Sequence, residues 1–168
     1  RLELAFTHTN NYGETYYSFV NGQYTIDGGT HQSAFREGLL RGINEYASQQ
    51  YTGEDVREGL VGAVAIKLKD PVFESQTKNK LGSTEVRSWI VGEVRQQVVL
   101  WLHKYEPEAK RLLDKVKNNE RVRKELATIK KQAREKAKRV AIRIPKLTDC
   151  KVHYDTKHPR REESSIFI

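Results

Sequence analysis

The alternation of apolar and polar positions divides the chain into strands first and helices later. Leu2, Leu4 and Phe6 alternate with Glu3 and Ala5, the two-residue period of a half-buried strand. Asn10-Asn11-Tyr12-Gly13 is a turn signal, and Thr15–Val20 is rich in β-branched and aromatic residues. These two segments are expected to pair as a hairpin. After a loop at Asn21-Gly22, residues 23–26 read as extended, and Asp27-Gly28-Gly29 gives the backbone freedom for a sharp turn. Thr30 is the expected N-cap of an amphipathic helix, in which Phe35, Leu39, Leu40, Ile43 and Ala47 recur at three- and four-residue spacing. Thr52 and Asp55 mark a second, brief helical start. Leu60–Ile66 is a continuous apolar run of strand length, expected as a central strand covered on both faces, and Asp70-Pro71 ends it.

A polar loop over 74–82 leads to two long helices. Ser83 is the expected cap of the first, whose apolar stripe is Ile90, Val91, Val94, Val98, Trp101, Leu102 and Tyr105. Pro107 suits the first turn of the second, where a missing amide hydrogen costs nothing extra. Leu112, Val116, Val122, Leu126, Ile129, Ala133, Ala137 and Val140 give it a thin apolar seam, and Pro145 is expected to end it. Residues 146–165 read as a linker and Ile166-Phe167-Ile168 as a short strand. Strands followed by long helices make an α+β class.

Composition narrows the picture. The chain has 168 residues, enough for one ordinary domain, and a net charge of +8. Fifteen aromatic residues and the apolar runs exclude full disorder. No run is long enough to span a bilayer, and the start carries no charged-then-apolar leader. A lone Cys150 suits a reducing, cytoplasmic compartment. With no methionine and Arg1 in first place, the chain reads as a piece of a longer product.

Charge is concentrated in one place. Residues 107–143 hold 14 Lys or Arg against 5 acids, whereas the remainder holds 16 against 17. After Glu125 the only acid up to Lys146 is Glu135, against eight bases, so pairing within the helix cannot neutralise that stretch. Unpaired positive charge along a helix attracts a polyanion through phosphate contacts and counterion release. Aromatics are absent between Pro107 and Val140, which disfavours stacking on single strands and leaves duplex backbone as the expected partner. Lys130, Lys131, Arg134, Lys138 and Arg139 form the densest cluster.

Other chemistry is sparse. Gln76-Thr77-Lys78 sits on the polar loop, where a lysine is a mobile point charge suited to a phosphate and Gln76 can donate a neutral hydrogen bond beside it. There is no Walker A pattern, nucleophile elbow or metal-ligand spacing among the five histidines. No catalytic set and no metal site is therefore expected.

The order of motifs carries more information. Ser18-Phe19-Val20-Asn21, Asp27-Gly28-Gly29-Thr30-His31 and Glu54-Asp55-Val56-Arg57-Glu58-Gly59-Leu60 follow one another. Pro71-Val72-Phe73-Glu74-Ser75-Gln76-Thr77-Lys78, Lys80-Leu81-Gly82 and Lys146-Leu147-Thr148-Asp149-Cys150 come next. In this order the chain resembles the transducer domain of the B subunit of a bacterial type IIA DNA topoisomerase, gyrase or topoisomerase IV. The flavour of Thr148-Asp149-Cys150-Lys151-Val152-His153 leans towards topoisomerase IV or a close gyrase-like relative. Glu163-Ser164-Ser165-Ile166-Phe167-Ile168 resembles the strand that opens the family's TOPRIM domain.

The resemblance implies a left-handed βαβ fold like domain 2 of a ribosomal small-subunit protein, followed by the long basic C-terminal helix. It implies a transducer domain over 1–145, then a linker and the first TOPRIM strand over 146–168. In the family this domain lies between a GHKL ATPase domain and TOPRIM, and couples ATP hydrolysis to passage of a DNA duplex. The residues matching Gln76, Thr77 and Lys78 form the loop that reaches the γ-phosphate. ATP and Mg2+ belong to the full enzyme, an isomerase with two A and two B subunits, and neither is held by this piece alone. Alone it is expected to be inactive. His31 and Arg57 match family motifs and are read as structural. Two other readings stand beside this one: a stand-alone basic module for double-stranded DNA, and a small kinase-like phosphotransferase that no glycine-rich phosphate loop supports.

Overall fold

The apolar run Leu60–Ile66 forms strand β4, and the other strands are arranged around it. β1 (Leu2–His8) pairs with it antiparallel, Leu2 opposite Ile66 and His8 opposite Leu60. β2 (Thr15–Val20) lies parallel on its other side, and β3 (Gln23–Tyr24) adds an antiparallel edge to β2. The sheet order is β1-β4-β2-β3. The computed structural model describes residues 1–139, 152–153 and 157–163, and the chain divides into two compact units, Arg1–Ala127 and Thr128–Ile168.

The expected β1–β2 hairpin does not form, because β4 is inserted between the two strands. Polar backbone groups decide this. Thr9 N–H donates to the Gly59 carbonyl and Gly59 N–H to the Gly13 carbonyl, both at 2.7 Å, so the 9–13 turn is tied to the entry of β4. β4 is apolar at every position and accepts a neighbour on each edge. A parallel β2–β4 pair needs a crossover, which runs through helices α1 (Thr30–Ala47) and α2 (Gly53–Arg57).

One face of β4 is fully covered. Leu60, Val64 and Ile66 meet Phe35, Leu39 and Ile43 of α1 and Ile90, Val94, Val98 and Leu102 of α3 (Arg87–Lys104) in a single core. The other face is not, contrary to expectation: Val61, Ala63 and Ala65 are half-buried, and Tyr17 beside them on β2 is 48% exposed. α1 and α3 approach closely because Gly38 and Gly42 face Val94 and Val98, where an added Cβ would lie 2.7 and 3.0 Å from the valine Cβ atoms.

Two expected caps are replaced by other contacts. Gly29 precedes α1 without a side-chain cap, and the Thr30 hydroxyl donates to the Leu81 carbonyl instead. Ser83 is buried and accepts the Val72 N–H at 2.9 Å, while α3 begins four residues later at Arg87. Thr52 does cap α2, in a reciprocal box with Asp55.

Helix α4 (Glu106–Arg139) carries Pro107 in its first turn, as expected. Among the described residues only the start of its apolar seam is covered: Ala109, Leu112 and Val116 are buried, whereas Val122 and Leu126 are 40% and 50% exposed. Polar contacts hold the helix past that point. Arg123 grips Asp55 through two bonds, Nε to Oδ1 at 2.7 Å and Nη2 to Oδ2 at 3.0 Å, and Asn119 donates to the carbonyls of Asp55 and Glu58. In the second unit the described residues after α4 include one 3-10 turn, Arg161–Glu163. The helix end at Pro145, most of the 146–165 linker and the strand at Ile166-Phe167-Ile168 lie outside the described residues. Among the described residues no helix is long and apolar enough to cross a membrane.

Asp55 is 1% exposed, so its charge depends on these partners. Burial pushes its carboxyl up, but the bonds from Arg123 and Thr52 outweigh burial and hold it below the ordinary carboxylate value. Such a group stabilises the fold above the unfolded pKa, and the contribution fades as pH falls through the native one. Asp55→Asn is expected to lower unfolding stability by about 2 kcal/mol at neutral pH, from the strength of hydrogen bonds to charged groups. Denaturant titrations against pH should show the gap from wild type closing in acid.

Candidate functional site

The loop after β4 is built as a small mounted hairpin. Phe73 and Leu81 pair antiparallel, Glu74 N–H donates to the Lys80 carbonyl at 3.0 Å, and the Glu74 and Lys80 side chains form an ion pair at 2.9 Å. Its tip is the four-residue turn Ser75-Gln76-Thr77-Lys78, closed by Lys78 N–H to the Ser75 carbonyl at 3.0 Å. The Ser75 and Thr77 hydroxyls lie 2.7 Å apart. Lys78 takes φ 56°, an uncommon conformation for a residue with a long side chain. All four tip residues are exposed, and neither the Gln76 amide nor the Lys78 ammonium has a partner among the described residues.

The other end of this hairpin is seated in the body of the first unit. Leu81 is 1% exposed. Its N–H donates to the Gly28 carbonyl, and its own carbonyl accepts the Thr30 N–H at 3.0 Å and the Thr30 hydroxyl at 3.2 Å. Asp27 N–H donates to the Asn79 carbonyl at 3.0 Å. Residues 79–82 thus run between 72–74 on one side and the 27–30 turn on the other, with an isolated β-bridge from Leu81 to Phe73 and another to Gly29.

Behind that turn lies a buried polar network. The Thr25 hydroxyl donates to the Ser18 carbonyl at 2.9 Å, which leaves it to accept the Nε2–H of His31 at 3.2 Å. The Ser18 hydroxyl lies 2.8 Å from the Thr25 hydroxyl and 3.1 Å from Gln32 Oε1. His31 is fully buried and its Nδ1 has no partner in the described structure, so burial pushes its pKa down to about 4. Arg57 is engaged with Glu14 at 2.8 Å, and Glu14 also holds Arg36 and the Tyr16 hydroxyl. His31 is thus closed off from solvent, and the Arg57 Nε is taken up by Glu14.

The basic segment stands in the second unit. Lys130, Lys131 and Arg134 are exposed, with no acidic partner among the described residues. Helical spacing sets the three within about 100° of one another around the axis. Lys138 belongs to α4, as does Arg139, but both side chains lie outside the described residues. Ion pairs occur earlier on the helix, Lys124 with Glu120 and Arg121 with Glu125. No cluster of His, Cys, Asp or Glu among the described residues could hold a metal ion.

Residues 1–136 match the family model of DNA gyrase B. The chain belongs to the DNA gyrase B family. It is 53% identical over 167 residues to the B subunit of DNA topoisomerase 4 from Borreliella burgdorferi, covering 99% of this chain and 28% of that protein. It is 33% identical over 176 residues to the B subunit of DNA gyrase from Thermotoga maritima, covering 99% and 27%. Among solved structures it resembles the 43K ATPase domain of Thermus thermophilus gyrase B in complex with an aminocoumarin. That match has a TM-score of 0.70 and 28% identity, over 78% of this chain and 37% of that one. The chain therefore spans under a third of the length of these two curated relatives.

Within this gyrase B family segment, the structure brings Gln76, Thr77 and Lys78 onto one turn of the first unit, whereas Lys130, Lys131 and Arg134 belong to the second. The reading from sequence missed the Leu81 seat and the Asp55–Arg123 grip. The first leaves only an apolar residue after a polar loop, and the second pairs residues 68 apart. His31 supplies a test of the network behind the turn. A histidine neutral in the fold and free to protonate when unfolded gives stability that is complete above about pH 6.5 and is lost as pH falls towards 4. From a lowering of that size, the loss should reach about 3 kcal/mol. His31→Gln should flatten this segment of a stability-against-pH curve, and a curve unchanged by the substitution would disprove the assignment.

Proposed function

We propose that this chain is the transducer region of the B subunit of a type IIA DNA topoisomerase, of the topoisomerase IV kind. It couples ATP binding and hydrolysis in an adjoining GHKL ATPase domain to passage of a DNA duplex. The observation that carries the reading is the Lys78 ammonium, unpartnered at the tip of a hairpin whose other end is buried. A cation held this way gains a strong partner while a third phosphate is present and loses it on hydrolysis. Gln76 adds a neutral donor on the same turn, and Thr77 braces the turn through Ser75.

The domain reading places the transducer over 1–145 and a linker with the first TOPRIM strand over 146–168. The crossover from β2 through α1 to β4 is assigned the left-handed βαβ form. ATP and Mg2+ are assigned to the ATPase domain of the full isomerase, the partners to an A subunit and a second B subunit in an A2B2 enzyme, and the setting to the cytoplasm. Identity of 53% to a topoisomerase 4 relative, against 33% to a gyrase B, favours the topoisomerase IV kind. Lys130, Lys131, Arg134, Lys138 and Arg139 are assigned to the transported duplex, through phosphate contacts without base readout. By itself the segment is inactive, having no nucleotide pocket, cleavage tyrosine or metal-binding acids assigned to it.

Lys78→Ala in the full-length B subunit, assembled with its A subunit, is expected to lower ATP turnover and strand passage together. A charged hydrogen bond of about 1.5–3 kcal/mol corresponds to roughly 10- to 100-fold. Unchanged rates would remove the sensor role and favour a stand-alone duplex-binding module.

Replacing Lys130, Lys131 and Arg134 together by Gln should act differently. Strand passage should fall while ATP turnover without DNA persists. The slope of log affinity for duplex against log salt should become shallower by roughly 3. Loss of ATP turnover in the absence of DNA would count against this division of labour.

A further inference from the structure

Gly29 is where the sensor hairpin and α1 touch backbone to backbone, and no room is left there. A Cβ on Gly29 would lie 2.4 Å from Leu81 N, 2.5 Å from Leu81 O and 2.9 Å from Leu81 Cα. Distances below 3.0 Å to backbone cannot be relieved by turning a side chain, so one of the two chains must shift. Gly29 also takes φ 130°, a conformation that residues with a Cβ rarely adopt. The contact is closed on both flanks: Leu81 N–H reaches Gly28 and the Leu81 carbonyl takes two donors from Thr30.

Leu81 is three residues from Lys78, and the intervening segment is clamped by the 74–80 backbone bond and the Glu74–Lys80 ion pair. Displacement at Leu81 therefore carries to the tip instead of being absorbed on the way. Thr30 and His31 open α1, so the same contact faces the helix that packs on α3 through Gly38 and Gly42.

We propose that Gly29 is a positioning residue for the nucleotide sensor. By bringing the start of α1 into backbone contact with Leu81, it sets the height at which Lys78 meets the terminal phosphate and gives the loop a stiff link to α1. This rests on the sensor reading of Lys78 given above. Gly28, one residue earlier, supplies a matched contrast. It too has positive φ, at 69°, but the atoms nearest a Cβ there are the end of the Gln32 side chain and not backbone, so the clash is relieved by turning that side chain at the cost of its bond from the Ser18 hydroxyl.

The test is the triphosphate preference of the full-length B subunit, the ratio of the equilibrium dissociation constants of ADP and β,γ-imido-ATP. Lys78→Ala should reduce this ratio tenfold or more. Gly29→Ala should reduce it at least threefold with the ADP constant unchanged, and adding Gly29→Ala to Lys78→Ala should reduce it no further. Gly28→Ala should leave the ratio as it is. A purely structural role for Gly29 would shift both nucleotides alike or neither, and either result overturns the proposal. So does an equal effect from Gly28→Ala.

If Gly29→Ala does not fold, Leu81→Val shortens the anchor in the same seat. It should lower the ratio at least twofold, and an unchanged ratio there overturns the proposal. An unchanged ratio in Lys78→Ala would instead defeat the sensor reading itself, so the two failures are distinguishable.

Discussion

The organisation of the first unit depends on how closely backbones can approach α1. At its start, Gly29 admits Leu81 within backbone contact; further along, Gly38 and Gly42 admit Val94 and Val98 of α3. A side chain at any of these positions would occupy the space its neighbour now fills. α1 thereby joins the 73–81 hairpin, the sheet and α3 into one packed body. Close packing passes a displacement from part to part without dissipating it.

Hydrogen bonding complements that steric constraint at the two places where polar groups go inside. Ser18, Thr25, His31 and Gln32 bond among themselves behind the 27–30 turn, and His31 stays neutral because burial disfavours its charged form and Nδ1 has no acceptor among the described residues to offset that. Asp55 keeps its charge because Arg123 and Thr52 meet it from two directions. One buried group is held neutral and the other ionised, and the difference lies in the partners each finds. The Asp55 grip also lies beyond Val116, the last buried apolar residue of α4 among the described residues, so it continues by polar contact what apolar burial began.

The proposed role of the segment follows from rigidity at the root of the hairpin and freedom at its tip. A cation needs little around it to recognise a phosphate, but it needs a fixed position if phosphate loss is to be felt elsewhere. The basic stretch of α4 has the opposite requirement. Exposed lysines without acidic partners give attraction that depends on salt and ignores base sequence, suited to a duplex that must enter and leave.

Periodicity and composition were enough to reveal the helices α1, α3 and α4, the central strand Leu60–Ile66, the Thr52 cap and the concentration of positive charge, because each depends on residues close together in the chain. The order of short motifs pointed to the family, since a shared fold leaves its turns and glycines in sequence. The partner of β1 was another matter: local alternation shows that Leu2, Leu4 and Phe6 face one way but not which edge they meet, and the bonds of the 9–13 turn to Gly59 gave that edge to β4. The same limit hid the roles of Thr30 and Ser83, whose hydroxyls looked like helix caps until Leu81 and Val72 came within reach. Gly29 showed itself as a turn residue, but the need for a residue without a Cβ arises from Leu81, far along the chain. Pairings between distant residues are set by which backbones can reach one another in three dimensions, and no local pattern records that.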